Sequence, residues 1–575
     1  MPSRSHRLNR LLDQLEKART GYDPGHNAAI ARLLSQISKV EIADPRQLIR
    51  FHEVLLFLRA FPHAAAHISP VESALDSFHQ RVEKLVAAGT DMSGFDDFDA
   101  AGIAGTTMQD TLSFDVAQWL AAHIPRKVEI AWDDYWNDYN AQRARGYSWP
   151  RFIPWLEEDA DVEANIPWKQ WLDQARGRQS ALTWLLTRFA KLPLSPRQRS
   201  ELFDSLRIPL RWRLENLKLS RTRNWTRPRH FYIHDQRLIQ RSEVSLHQEL
   251  ARPAPTLEKL SSRSGESVMN SIREVMVVRY RELYGTTLGD PRSVVRADLG
   301  RGVIMYFWGL PPERRLPLRA YLAGYTLKNG VPINYIEAIG LFEWIEVGFN
   351  TFYTYRQGET AWVYAQAVRC LRALTRAKCI SIYPYQIGQN NDEAIDSGAF
   401  WFYRKLGFRS GRSNLRQLCE KEEKKIAENS SYRTSSRILK QLGQAHMFYE
   451  VNQPEIESGA WDYFSVRNLG LLVNRRMARE FDGDIEKIRR ASTAAVSRAL
   501  KIHSSRWNAS QRQALDRWCL VLALIPDLVR WTPDEKRRLV EIIREKSAVS
   551  EMPYLRNTQL HSRLRKELLR LGCER

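Results

Sequence analysis

Acidic residues are in short supply in this 575-residue chain: 66 Asp and Glu face 87 Lys and Arg, a formal net charge of +21 with a pI near 9.8. Cysteine is scarcer still. The five, Cys370, Cys379, Cys419, Cys519 and Cys573, form no C-x-x-C pair and are odd in number. That argues against a disulfide framework and a cysteine zinc site, and it suits a reducing cytoplasm. Long apolar runs are also missing. The longest candidate, Trp518–Pro526, falls well below the roughly 18 residues a spanning helix needs. The opening MPSRSHRLNRLLDQLEKARTGY has no apolar h-region and does not read as a secretory signal. The expectation is a cytoplasmic protein with no membrane span.

Metal signals are equally thin. His63 and His67 sit at helical spacing, as do His230 and His234, but neither pair has a third ligand at a recognisable distance. The acidic stretch Asp91–Asp99 lacks the glycine and glutamate of a calcium loop. Gly102 and Gly105 come without the lysine of a phosphate loop. No metal is expected.

The positive surplus is concentrated. Residues 207–241 hold ten Lys and Arg against Glu215 and Asp235, and residues 430–575 hold 27 basic against 17 acidic side chains. Such patches suit a phosphate-bearing partner, and they equally suit a solvated surface. In 207–241 the cations Arg211, Arg213, Lys218, Arg221, Arg223, Arg227 and Arg229 are interleaved with Trp212, Trp225, Phe231 and Tyr232. Guanidinium groups match phosphates and flat rings match unpaired bases, so this segment is a candidate contact for RNA or another polyanion. A basic linker packed on an acidic face fits the same residues.

Residues 1–250 read as a mainly helical region, in one or two subdomains. Ser69-Pro70-Val71-Glu72 and Ser195-Pro196 look like helix starts. Seven tryptophans, Trp132, Trp136, Trp149, Trp155, Trp168, Trp171 and Trp184, fit core and helix packing better than base stacking. The Pro-rich Ala251–Thr256 marks a break. Beyond it Val303–Trp308 is a strand, and Asn329-Gly330 joins two strand-like runs in a hairpin. Trp344–Tyr355 is a long third strand, with a helix from about Glu359 to Leu374 and a strand at Cys379–Tyr385 after it. Residues 426–575 read as a basic helical domain, in which Thr532–Glu535 caps one helix and Leu560, Leu564, Leu568 and Leu571 make an apolar stripe.

Two stretches in the β-rich zone carry chemistry. Gly398–Phe408 reads GAFWFYRKLGF, and with Asp396 before it the spacing matches N-x-x-A-x-x-x-Y-x-K-x-G-F at Ala399, Tyr403, Lys405, Gly407 and Phe408. Upstream, the long strand runs into Arg356-Gln357-Gly358-Glu359-Thr360-Ala361, close to R/Q-x-x-G-x-G/A. With the order hairpin, long strand, helix, strand, helix, residues 255–420 resemble the GNAT superfamily of acyl-CoA-dependent N-acyltransferases. The resemblance implies an α+β fold: a GNAT-like mixed sheet at 255–425, set between the helical regions. It implies that the 356–361 loop holds the pyrophosphate of acetyl-CoA or a longer acyl-CoA through backbone N–H groups at a helix N-terminus. It implies that Tyr403 is the acid that protonates the departing thiolate.

Glu359 stands where the family has its central glycine. Pointed inward, its carboxylate opposes a phosphate by about 1–4 kcal/mol; pointed out from the first helical turn, it suits the helix dipole. For the base that takes the amine's proton, strand alternation puts Trp344, Glu346, Gly348 and Asn350 on one face, with Glu346 first and Glu337 and Glu343 in reserve. Three functions fit: an N-acyltransferase using acyl-CoA and an amine acceptor, an aminoacyl-tRNA-dependent transferase on the same fold, and a non-catalytic nucleic-acid-binding or scaffolding protein.

Overall fold

The computed structural model describes residues 4–22, 24–135, 152, 168–215, 218–451 and 459–573. The chain divides into two compact units. The first comprises Met1–Arg237, Met269–Leu288 and Asn329–Pro332, and the second Leu238–Val268, Gly289–Lys328 and Ile333–Arg575.

The first unit is built largely from short amphipathic helices. Pro45–Ala60 is typical: Asp44 caps it by accepting from the Arg46 N–H at 2.9 Å, and Pro45 occupies the first turn, where a missing N–H costs nothing. Leu48, Phe51, Leu55 and Leu58 then recur every three or four residues on its buried face. Ser195 forms a full capping box with Gln198 ahead of Pro196–Asp204. Ser69-Pro70 is not a helix start. The helix runs Ala65–Asp76 with Pro70 inside it, giving up one backbone bond to keep Val71, Ala74 and Leu75 buried.

The 1–250 region also contains a sheet that its sequence did not suggest. Strands β1 (Thr107–Thr111), β2 (Val128–Ile130) and β3 (Pro209–Arg213) pair in the order β1-β3-β2. The central strand is the start of the basic segment 207–241. Leu210 and Trp212 alternate into the core while Arg211 and Arg213 point away, to Asp133 at 2.7 Å and Glu83 at 3.0 Å. Trp184 is buried in the adjoining core with Phe189 and Phe203, and Trp132 packs against it. Trp136, Trp149 and Trp155, with the side chains of Trp168 and Trp171, lie outside the described residues.

The second unit holds one mixed nine-stranded sheet. Its strands are β4 (Glu258–Lys259), β5 (Val295–Asp298), β6 (Val303–Trp308), β7 (Ala320–Lys328), β8 (Val331–Leu341), β9 (Trp344–Thr351), β10 (Cys379–Ile382), β11 (Arg409–Ser410) and β12 (Met447–Glu450). Their order is β11-β12-β10-β9-β8-β7-β6-β5-β4. At the β7–β8 turn both Asn329 (φ 48°) and Gly330 (φ 78°) are left-handed, as a two-residue hairpin with the right strand twist demands. β9 and β10 run parallel, joined by the crossover helix Thr360–Thr375.

Residues 426–575 are not a separate domain. β12 inserts antiparallel between β10 and β11, and the helices after it share a core with Trp344, Leu341 and Cys379. Leu564, Leu568 and Leu571 of Ser562–Cys573 are buried there, while Leu560 precedes that helix and is exposed. Thr532 caps Pro533–Glu545 in a full capping box. No helix among the described residues is long and apolar enough to cross a membrane.

Candidate functional site

β9 and β10 pair over three positions only: Trp344 with Cys379, Ile345 with Ile380 and Glu346 with Ser381. β10 then ends at Ile382 while β9 continues to Thr351. The ladder between the two parallel strands therefore ends at Glu346, and in that sense the strands part there.

Glu346 meets His446 at this point. His446 Nε2 lies 3.0 Å from Glu346 Oε2, and its Nδ1 lies 3.2 Å from Asp462 Oδ1. Asp462 also accepts from Arg412 Nε at 2.6 Å and from the His446 backbone N–H at 2.9 Å. The result is a chain of charges, Glu346–His446–Asp462–Arg412. Burial would lower the imidazole pKa, but the bonds to Asp462 and Glu346 outweigh it and hold it above its usual 6.5. Burial would likewise raise the Asp462 carboxyl, and the bonds to His446 and Arg412 hold it below its usual 3.8.

Tyr383, half exposed, packs edge-to-face on the imidazole, with ring centroids 5.5 Å apart. Two residues along β9, Gly348 makes room for Gln386: a Cβ there would lie 2.6 Å from the Gln386 Nε2. His446 and Asp462 carried no recognisable sequence signal. They lie about a hundred residues beyond Glu346, and His446 reaches it only because β12 inserts next to β10.

The raised pKa sets a pH dependence. Stability from a protonated His446 is complete below pH 6.5 and fades as pH rises through the raised value. Stability from Asp462 is complete above pH 3.8 and fades as pH falls through the lowered one. His446→Gln is therefore expected to lose about 1–3 kcal/mol, with the largest deficit between about pH 4 and 6.5 and a smaller one at pH 9. Thermal midpoints across that range check this, and a deficit that grows with pH would refute it.

The reserve carboxylates are committed elsewhere. Glu343 accepts from the Arg565 guanidinium and, at 3.0 Å, from Trp461 Nε1. Glu337 accepts from the Tyr321 hydroxyl.

Tyr403 lies on the opposite face of the sheet. Glu346, Ser381 and Phe448 stand abreast on one face, and Ile345, Ile380 and Tyr449 on the other. Tyr403 packs on Phe408, which packs on Tyr449, and on Tyr364, which packs on Phe349 of β9. Burial pushes its phenol pKa up.

The GAFWFYRKLGF stretch also has a local explanation. Ala399–Lys405 is a helix whose end forms a Schellman motif. The Phe408 N–H donates to the Tyr403 carbonyl at 3.2 Å, the Gly407 N–H donates to the Arg404 carbonyl at 3.0 Å, and Gly407 has φ 102°. The Tyr403–Phe408 ring contact, with centroids 5.8 Å apart, is the hydrophobic contact such caps favour.

In the 356–361 loop, Arg356 is exposed and pairs with Glu393. The Gly358 N–H is used inside the turn, donating to the Tyr355 carbonyl at 2.9 Å. Gln357 is exposed and Thr360 half-buried. Thr360 and Ala361 open the helix, where the first N–H groups have no intrahelical partner.

Neither expected orientation of Glu359 holds. Its carboxylate is buried, but turned onto Arg301 and onto the fully buried Lys328, at 3.4 Å, and it accepts from the Ile239 N–H at 3.2 Å. One anion against two cations leaves the loop's base net positive, so the expected repulsion of phosphate does not arise. Burial pushes the Lys328 pKa down to about 8 against the pull of Glu359.

Several buried polar atoms near the parted strands have no partner among the described residues. They are both amide atoms of Asn334, the Thr351 and Tyr364 hydroxyls, and Gln386 Oε1. Asn334 and Thr351 are register partners on β8 and β9.

The basic segment 207–241 is partly neutralised, with four of its ten cations paired to carboxylates. Besides Arg211 and Arg213, buried Arg221 pairs with Glu53 at 2.8 Å and Arg223 with Asp76 at 2.9 Å. Arg227 and Arg229 stay exposed. His63 and His67 each hold a backbone carbonyl, of Arg19 and Asn27, through Nε2. The chain matches no protein-family model, no curated protein and no solved structure.

Proposed function

We propose that the second unit transfers an acyl group from a CoA-type thioester to an amine, on a GNAT-like domain made of its share of residues 255–425. The observation that carries this reading is the parting of β9 and β10 just beyond Glu346, with His446 and Asp462 behind that carboxylate. The amine nitrogen attacks the thioester carbonyl, a C–N bond forms and the C–S bond breaks. Glu346 takes the amine proton on Oε1, its Oε2 being held by His446. The thiolate takes a proton from Tyr403, whose burial keeps the phenol protonated. The pyrophosphate is seated by the backbone of Arg356, Gln357, Gly358, Glu359, Thr360 and Ala361, over a base made positive by Arg301 and Lys328.

A thermal-shift screen with acetyl-CoA, longer acyl-CoAs and tRNA tests the donor, because a ligand that binds only the folded state raises its midpoint. A shift with an acyl-CoA, together with thiol release when an amine is added, is the expected result. A shift with aminoacylated tRNA alone would move the reading to an aminoacyl-tRNA-dependent transferase.

The Schellman geometry favours a second reading, in which Tyr403 and Phe408 only close a helix and the protein is a non-catalytic nucleic-acid-binding or scaffolding protein. Tyr403→Phe separates the two. As an acid, the tyrosine is worth about 10²–10⁴ in turnover, with donor affinity kept. As packing alone, it changes stability by about 1 kcal/mol and leaves turnover normal.

A further inference from the structure

A cleft of about 670 Å³ opens at the C-terminal end of the helix Thr360–Thr375. Five cationic side chains line it, Arg252, Arg369, Arg372, Arg376 and Lys378, and among the described residues no carboxylate does. We propose that this cleft binds a compact polyphosphate anion.

The charge there is not otherwise accounted for. Arg369 donates to the Pro253 carbonyl at 2.7 Å and Arg372 to the Leu250 carbonyl at 2.8 Å. These bonds fix the two guanidinium groups in place without neutralising them. Arg252 alone reaches a carboxylate, Glu249 at 3.2 Å. Among the described residues, Arg376 and Lys378 have no ion pair.

The negative end of the helix dipole is too small to explain the cluster. It amounts to about half a charge, and the carbonyls of Ala373 and Leu374 already accept from Arg556. Among the described residues, Arg369, Arg372, Arg376 and Lys378 remain in one cleft without an ion-pair partner. Such an arrangement is held at a cost in mutual repulsion that a bound anion removes.

The shape and lining select the class of ligand. The volume lies within the roughly 300–1,000 Å³ of small-molecule sites. Among the described residues no aromatic side chain lines the cleft, and these residues offer no platform for stacking an unpaired base. What it offers is a set of guanidinium forks, two from one helix and a third from its C-cap, Arg376, that match adjacent phosphate groups. The 356–361 loop lies at the other end of this 16-residue helix, about 24 Å away at 1.5 Å per residue. The cleft is thus separate from the acyl-CoA seat and does not depend on it.

Isothermal titration of the full chain with sodium tripolyphosphate tests the proposal. One equivalent is expected to bind, about tenfold or more weakly at 300 mM than at 50 mM salt. Arg376→Gln with Lys378→Gln is expected to lower the affinity by a further tenfold or so while leaving the ligand-free thermal midpoint unchanged or slightly raised, because it relieves the repulsion. Arg252→Gln, at an exposed side chain, is expected to weaken binding by a smaller factor and serves if the double variant fails to fold. No binding, or unchanged affinity in these variants, overturns the proposal. So does duplex RNA binding that needs Arg376 and Lys378 and that tripolyphosphate does not displace, because the face is then an RNA surface.

Discussion

Glu359→Gly is expected to destabilise the protein by about 3–5 kcal/mol at pH 6 to 7, the usual scale for breaking a buried ion pair from one side. The substitution restores the glycine that the loop pattern of acyl-CoA enzymes calls for, and on pattern alone it would be harmless. The structure makes it costly. Glu359 is the carboxylate that faces both Arg301 and the fully buried Lys328, and its loss removes the counter-charge the two cations share. Lys328 already titrates down to about 8 because it is buried. With Glu359 gone it falls further, so the variant sheds its buried charge at a lower pH than the wild type. The deficit is therefore expected to narrow as pH rises toward 8. Urea midpoints at pH 6, 7 and 8, followed by tryptophan fluorescence, measure it. Equal midpoints for variant and wild type would show that the carboxylate contributes nothing to the fold.

Local order was the legible part of this sequence. Asn329-Gly330 specified its hairpin because few residue pairs accept two left-handed positions in a row. Val303–Trp308 was readable as a strand at its observed limits, and Gly407 as the end of a helix. The misreadings arose where a local signal met a tertiary demand. Ser69-Pro70 resembles a helix start, yet burial carries that helix a turn further back. The run from Arg207 onward fitted either a polyanion contact or a linker packed on an acidic face; its ion pairs agree with the second, but its alternation conceals the central strand of a small sheet. The candidate site was half legible for the same reason. Strand alternation on β9 was enough to single out Glu346, whereas His446 and Asp462 depend on which strand inserts beside β10, a long-range pairing with no local mark. The Tyr403 signature is ambiguous in itself, because a tyrosine five residues before a phenylalanine, with glycine between, is what a Schellman cap also selects.

Glu346→Gln is the substitution with the largest expected effect on turnover, and it discriminates between a working site and a buried charge network. The amide keeps the size of the side chain and removes its capacity to hold an amine proton. If Glu346 is the base, turnover falls by about 10²–10⁴-fold with the donor KM kept, because the thioester is bound elsewhere and only the proton-transfer step is lost. The loss should be largest with weakly nucleophilic amines that attack while still shedding a proton. His446→Gln should cost less than Glu346→Gln, because it leaves the carboxylate in place and removes only the imidazole that orients it. The two variants also separate in stability. His446→Gln leaves Asp462, almost wholly buried, with Arg412 as its remaining charged partner among the groups described here, whereas Glu346→Gln leaves His446 its bond to Asp462 and can itself accept from the imidazole. Glu346→Gln should therefore keep a near-normal thermal midpoint while losing activity. Turnover that survives in Glu346→Gln would remove this carboxylate from the chemistry and leave the Glu346–His446–Asp462 chain as a structural tie between β9, β12 and the helix Gly459–Tyr463.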